Sequence, residues 1–124
     1  MSPVPIRSLV PMAHVASVPI AAEFYEKLGF EARNSFTPPG AAEPSWVSLV
    51  AGDAELMLTR ADRPVPRDEQ GVLFYLYCGD VARMHAELTA RGIAVGEIER
   101  PFYNPGGEFR LTDPDGYVIF ITHT

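Results

Sequence analysis

"VLFYLYCGDVARMHAELTARGI", residues 72–93, joins an apolar run typical of a buried strand to a segment whose apolar residues recur at helical spacing. Residues 9–30, "LVPMAHVASVPIAAEFYEKLGF", follow the same plan. Asp80 and Ser17 are residue types that favour helix N-caps, and they lie 63 positions apart. Two such segments at a fixed offset indicate an internal duplication.

The offset of 63 residues recurs elsewhere in the chain. Gly92 lies 63 residues after Gly29, and each glycine is placed to end its helix. The strand-like run "ELMLTR" at 55–60 matches "VIFITH" at 118–123 with the same offset. Each half therefore predicts a strand, a helix and then three strands. A unit of roughly 60 residues buries too little surface to be stable alone, so the two units should pack together.

We therefore predict an α+β fold of two tandem βαβββ modules that form a curved, cleft-bearing mixed sheet. Module 1 is expected at about residues 6–60, a linker rich in proline and charge at 61–70, and module 2 at about 71–124. The residues expected to pack between helices and strands are Ala21, Phe24, Tyr25, Leu28, Leu56, Leu58, Val81, Met84, Leu88, Ile119 and Ile121.

Composition and charge exclude several classes of function. The net charge is -6 and no cluster of Lys or Arg occurs, which argues against nucleic acid as a partner. No apolar run reaches the length of about 18 residues that a membrane span requires, and no secretory signal is visible. The single cysteine, Cys78, excludes an intrachain disulfide and favours a cytoplasmic location.

The sheet face opposite the helices is predicted to be apolar and aromatic. It could be a second closed core, or a cleft that holds a ligand. Trp46, Tyr75, Tyr77 and His14 favour the cleft, because each has a polar atom that a dry core would have to satisfy. The predicted ligand-binding residues are His14, Trp46, Ser48, Met57, Tyr75, Tyr77, Phe102, Tyr103, Phe109 and Phe120.

Three motifs give the chain a family resemblance: "FYEKLGF" at 24–30, "DVARMHAELTARGI" at 80–93 and "EFRLTDPDGYVIFI" at 108–121. They resemble the vicinal oxygen chelate superfamily of glyoxalases, extradiol dioxygenases, and fosfomycin- and bleomycin-resistance proteins. The chain is most similar to the bleomycin-resistance branch. That resemblance implies the duplicated βαβββ fold and a metal-free homodimer that sequesters an antibiotic at sites on the subunit interface.

Metal enzymes of this superfamily carry His, Gln or Glu at four positions, which the resemblance places at Val10, Met57, Leu73 and Phe120. None of these side chains suits a hard or borderline divalent ion. We therefore predict no metal, no cofactor and no catalytic residue. The expected function is metal-independent binding of an aromatic or cationic antibiotic, such as a bleomycin-type glycopeptide. The alternative is a glyoxalase- or dioxygenase-like lyase or isomerase, with His14 as acid or base.

Overall fold

Residues 3–123, which the computed structural model describes, form two helices and two mixed sheets. Module 1 contains β1 (Met12–Val15), α1 (Val18–Lys27), β2 (Glu31–Phe36), β3 (Trp46–Ala51) and β4 (Ala54–Arg60). Module 2 contains β5 (Leu73–Cys78), α2 (Val81–Ala90), β6 (Glu108–Thr112) and β7 (Val118–His123). The strand orders are β1-β4-β3-β2 and β5-β7-β6, with β1 parallel to β4 and β5 parallel to β7. The α+β prediction is confirmed.

Both helices begin and end where the sequence predicts. The Ser17 hydroxyl and the Asp80 carboxylate each accept a hydrogen bond from the backbone N–H three residues later, at 3.3 and 3.0 Å. Gly29 and Gly92 have φ of 108° and 80°, the left-handed conformation that ends a helix. Within residues 3–123, no helix is both long and apolar enough to cross a membrane.

One apolar core holds both modules together. It contains the buried residues of α1 and α2 and the strand residues that face them, as predicted. Leu58 and Ile119, from equivalent strands of the two modules, are both 0% exposed. Burial of each such side chain contributes about 1.5–3 kcal/mol. Because the helices and inner sheet faces share this core, the other face of each sheet is left for function.

The second module lacks one of the predicted strands. Residues 93–99 pair with β6 only at isolated points: the Gly96 N–H donates to the Arg110 carbonyl, and Glu99 and Glu108 exchange two backbone hydrogen bonds of 2.8 and 2.9 Å. Glycine has low strand propensity because it has no side chain to pack, which explains the interruption. Module 2 therefore has two strands after its helix where module 1 has three.

The two modules also differ in the turn between their last two strands. In module 1 the closing pair is Ala51 and Ala54, so the turn has two residues. In module 2 the closing pair is Thr112 and Val118, so the turn has five. The longer turn shifts β6 by one residue relative to the repeat. Since side chains alternate along a strand, a shift of one residue exchanges the two faces of β6.

This shift places Phe109 in the core. Its ring is 2% exposed and contacts the His85 ring of α2 edge-to-face at 4.9 Å. The prediction that Phe109 lies on the cleft face is therefore wrong, because the 63-residue offset does not hold across the longer turn. Glu108 and Arg110 occupy that face instead, paired with Thr122 and Phe120 of β7.

The same turn joins module 2 to the helix of module 1. One oxygen of the buried Asp113 carboxylate accepts the Tyr25 hydroxyl at 2.6 Å, and the other accepts the N–H groups of Asp115 and Tyr117. The Asp115 carboxylate accepts the Ala16 N–H at 2.7 Å. Burial raises the pKa of the Asp113 carboxyl, although its hydrogen bonds act in the opposite direction. Burial, followed by the charge of Asp113, also raises the pKa of Tyr25.

The linker packs directly against this turn. The backbone of Arg67 lies so close to Gly116 that a Cβ there would collide with it. Gly116 also has a φ of 90°, which L side chains rarely adopt. The Gln70 side chain donates to the Asp115 carbonyl at 3.3 Å. The turn of module 2 therefore contacts both the helix of module 1 and the linker.

Candidate ligand-binding faces

The face of the first sheet that points away from α1 carries aromatic and sulfur-containing side chains. We call it the module-1 face. The strand register places its residues in two rows, which are His14, Thr59, Trp46 and Phe36, and then Met12, Met57, Ser48 and Asn34. Phe36 and Met12 are 55% and 49% exposed, while Trp46 and Met57 are half-buried. The predicted residues Trp46 and Met57 thus lie together on an open surface.

An ion pair with Arg33 neutralises the Glu55 carboxylate on this face. The Arg33 guanidinium donates to Glu55 Oε2 at 2.8 Å, and the Ser48 hydroxyl donates to the same oxygen at 3.4 Å. Ser48 is 2% exposed. It therefore supports Glu55 from below, and a ligand on the module-1 face would not reach its hydroxyl directly.

The equivalent face of the second sheet, which we call the module-2 face, is built from three rows. The register gives Leu73, Val118 and Thr112, then Tyr75, Phe120 and Arg110, then Tyr77, Thr122 and Glu108. Tyr75 packs edge-to-face on Phe120 at 5.0 Å, and the Arg110 guanidinium lies 5.9 Å from the centre of the Phe120 ring. Sequence reasoning missed Arg110 and Glu108, and the length of the turn before β7 was the available signal.

A loop at residues 101–107 rises over one end of the module-2 face. Phe102 and Tyr103 pack edge-to-face at 5.5 Å and are 97% and 69% exposed. The Asn104 side chain anchors the loop, since its amide donates to the Thr122 hydroxyl at 2.7 Å and to Glu108 Oε1 at 3.3 Å. The negative charge of Glu108 is the main cause that raises the pKa of the Tyr103 hydroxyl.

His14 lies in the first row of the module-1 face, at the end of that row beside the linker. Together with Arg63, Gln70 and Tyr117 it lines a pocket of about 510 Å³. Its backbone carbonyl accepts the Tyr117 hydroxyl at 3.1 Å. No acidic side chain of residues 3–123 forms an ion pair with its imidazole. The orienting partner that a catalytic histidine commonly has is therefore not found among these residues.

The family model described as the Glyoxalase/Bleomycin resistance protein/Dioxygenase superfamily matches residues 11–121. The chain belongs to this superfamily. The match spans both modules and the linker, and it confirms the resemblance read from the three sequence motifs. No curated protein gives a significant match.

Solved structures with the same fold include proteins that bind antibiotics. A bleomycin-binding protein complexed with bleomycin superposes with a TM-score of 0.78 at 20% identity, covering 96% of this chain and 99% of that chain. An antibiotic-binding protein from a Streptomyces species has a TM-score of 0.72 at 26% identity, covering 97% and 98%. The bleomycin resistance determinant of transposon Tn5 has a TM-score of 0.70 at 20% identity, covering 96% and 98%.

The exposed side chains decide between the two interpretations of these faces. Tyr75 and Tyr77 are 51% and 63% exposed, and Phe36 and Met12 are exposed to a similar extent. The interpretation as a closed second core is therefore wrong for this chain on its own. Open aromatic patches of this kind mark interfaces or ligand sites in globular proteins.

The four positions at which the resemblance places the metal ligands of the superfamily's enzymes carry poor donors here. Val10, Leu73 and Phe120 offer only hydrocarbon, and Met57 offers a thioether. Met57 lies beside Met12 in the register, and Phe120 lies beside Tyr75, so neighbouring strands supply no carboxylate or imidazole at these points. Across residues 3–123, no group of three or more His, Cys, Asp or Glu side chains is placed to hold a metal ion. These residues do not fit a divalent metal.

Proposed function

We propose that the protein binds and sequesters an aromatic, cationic antibiotic, of which bleomycin-type glycopeptides are the leading example. The observation that carries this proposal is the pair of open aromatic faces, one on each sheet, in a fold shared with antibiotic-binding proteins. Large exposed rings such as Tyr75 and Trp46 can stack on planar ligands and attract cations over their faces. The net charge of -6 also favours a cationic ligand.

We further propose that the functional unit is a homodimer with its sites at the subunit interface. A pocket that binds a drug-sized ligand buries most of the ligand surface. Each face described above is a single open wall, so a ligand needs a second wall. In the dimer, the module-1 face of one subunit would lie opposite the module-2 face of the other. The exposed Phe36, Tyr77 and Met12 would then be covered by ligand or by the partner.

Metal independence and a cytoplasmic location complete the proposal. The apolar side chains at Val10, Leu73 and Phe120 support binding without metal, and the single cysteine suits a reducing compartment. The alternative function, a lyase or isomerase that uses His14 as acid or base, has less support because the imidazole has no acidic partner within residues 3–123.

Isothermal titration with metal-free bleomycin, combined with light scattering after size exclusion, tests the proposal. We expect micromolar or tighter binding, one ligand site per subunit and the mass of a dimer. Trp46→Leu should weaken binding at least tenfold, which corresponds to about 1.4 kcal/mol. Ile20→Ala is the matched control, because Ile20 is 60% exposed on α1 and belongs to neither face.

Three results would count against parts of the proposal. A monomeric mass at concentrations far above micromolar would overturn the dimer. Stoichiometric Zn, Ni, Mn or Fe in the purified protein would overturn metal independence. No heat and no thermal shift with bleomycin would remove this antibiotic, and a thermal-shift screen of other aromatic cations would then identify the ligand class.

A further inference from the structure

One corner of the module-2 face brings three tyrosine rings around a carboxylate. Tyr75 and Tyr77 of β5, Tyr103 of the 101–107 loop and Glu108 of β6 line a pocket of about 290 Å³. The three tyrosines are between 51% and 69% exposed, so their rings are available to a ligand. The pocket is smaller than most sites for drug-sized molecules, which indicates a subsite for one group of a larger ligand.

Glu108 is unusually buried for a glutamate that forms no ion pair within residues 3–123. It is 8% exposed, and its Oε1 accepts a hydrogen bond from the Asn104 amide at 3.3 Å. None of the side-chain polar atoms in the described residues is both buried and without a hydrogen bond. The other carboxylate oxygen, for which no hydrogen bond is found, therefore keeps some contact with solvent, and Glu108 lines the open pocket. A negative charge held in so little water is stabilised when a cation approaches it.

A second acidic side chain lies next to Glu108. Glu99 and Glu108 exchange both backbone hydrogen bonds, so they are directly opposite each other and their side chains project on the same side. Like charges in this arrangement destabilise the pairing. Glu108 first and Glu99 to a lesser extent also raise the pKa of Tyr103, so the negative charge of both carboxylates acts on this one tyrosine. A cation bound between the rings would relieve this repulsion.

The donor set selects an organic cation over a metal ion. Calcium requires six to eight oxygen ligands and magnesium near-ideal octahedral geometry, whereas this corner offers two carboxylates among aromatic rings. Tyrosine faces attract ammonium groups, and aromatic cages of this kind recognise quaternary ammonium ligands such as choline. Two basic side chains of the protein lie near this corner. Arg110 is held over Phe120 in the next row, and His123 is among the residues that line the pocket.

We propose that Tyr75, Tyr77 and Tyr103, together with Glu108, form a subsite that binds an alkylammonium group of the ligand. Glu99 adds negative charge at the edge of this subsite, and Asn104 positions both the loop and the Glu108 carboxylate. This inference rests on the proposed function only in treating the module-2 face as a ligand-binding face.

Choline and its uncharged isostere 3,3-dimethyl-1-butanol test the subsite in NMR titrations of the intact protein. We expect choline to shift the tyrosine ring resonances with millimolar affinity, and the neutral alcohol to bind at least tenfold more weakly. Glu108→Gln should reduce choline affinity about tenfold. Tyr103→Leu should reduce it severalfold, and because Tyr103 is 69% exposed this variant should keep its fold. Glu26→Gln, on the exposed surface of α1, is the control for net charge.

Equal binding of choline and the neutral alcohol would overturn the proposal, as would a Glu108→Gln protein that melts like the wild type and binds choline equally well. These results are distinguishable from failure of the proposed function. If bleomycin binds but the affinity for choline does not depend on Glu108, only the proposal of the subsite is wrong. If choline binding depends on Glu108 and Tyr103 while no antibiotic binds, the subsite stands and the sequestering role falls.

Discussion

Replacing Tyr25 by phenylalanine would test whether the turn at residues 113–117 fastens the two modules together. The ring would stay buried, so the change leaves no large cavity and removes only the 2.6 Å hydrogen bond to Asp113. Among residues 3–123 that bond is the only one made to Asp113 Oδ2, because the Asp115 and Tyr117 amides both donate to the other oxygen. Hydrogen bonds to charged groups contribute about 1.5–3 kcal/mol, so we expect Tyr25→Phe to cost about 2 kcal/mol.

The loss should depend on pH in a defined direction. The pKa of Asp113 is raised from its ordinary value of 3.8, so this group favours the folded state most below that pH, and the contribution declines as pH rises through the folded-state pKa. The Tyr25 hydrogen bond opposes that rise. In Tyr25→Phe the pKa of Asp113 should therefore rise further, and the variant should lose additional stability as the pH rises above 3.8, the ordinary pKa of this group.

Urea unfolding at several pH values measures the lost free energy of unfolding and its pH dependence, and thermal unfolding measures the melting temperature. At neutral pH a loss of this size should lower the melting temperature by roughly 6–10 °C. Tyr117→Phe is a matched control in the same turn, because it removes a 3.1 Å hydrogen bond to the neutral His14 carbonyl. We expect a smaller loss of about 1 kcal/mol for the control, with little dependence on pH. Equal losses for the two variants, or a constant loss for Tyr25→Phe from pH 4 to 7, would refute this reasoning.

Three other substitutions, one of them with a matched control, test the fold and the metal positions. Gly116→Ala should cost roughly 2–4 kcal/mol in urea unfolding, because a Cβ would collide with the Arg67 backbone; Gly52→Ala, with φ of 56° and open space, should cost only about 1 kcal/mol. Asp80→Ala should cost about 1 kcal/mol by removing the N-cap of α2, and an unchanged melting temperature would contradict this. Phe120→Glu should still purify without stoichiometric metal by elemental analysis, since one carboxylate does not complete a site.

The repeat in the sequence was sufficient to predict the two helices, their caps and most of the shared core. Ser17 and Asp80 are local signals, since a side chain three residues from a free N–H determines where a helix begins. The apolar faces of the two helices are predicted by the helical spacing of their apolar residues. The buried positions Leu56 and Leu58, and Ile119 and Ile121 in module 2, are predicted by the alternation along a strand. Duplication preserves both kinds of spacing.

The face of β6 and the missing strand of module 2 could not be read from the repeat. A strand register is set by the turn that closes it, and the turn between Thr112 and Val118 differs in length from its counterpart. The burial of Glu108 and its contact with Asn104 also depend on this register and on the 101–107 loop. The sequence predicts Tyr75, Tyr77 and Tyr103 as ligand-binding residues, but such a long-range pairing leaves no periodic signal, so the structure was needed to place Glu108 beside them.

The unequal turns also indicate how a duplicated domain can diversify. Two copies of one strand can keep similar sequences and still expose different side chains. The length of the adjoining turn determines which alternate residues face the core and which face the open side of the sheet. In this chain the slip hides Phe109 and presents Glu108 and Arg110. An engineer could use the same device: deleting one residue from the turn at 113–117 should return an apolar face to β6 without altering any residue of the strand.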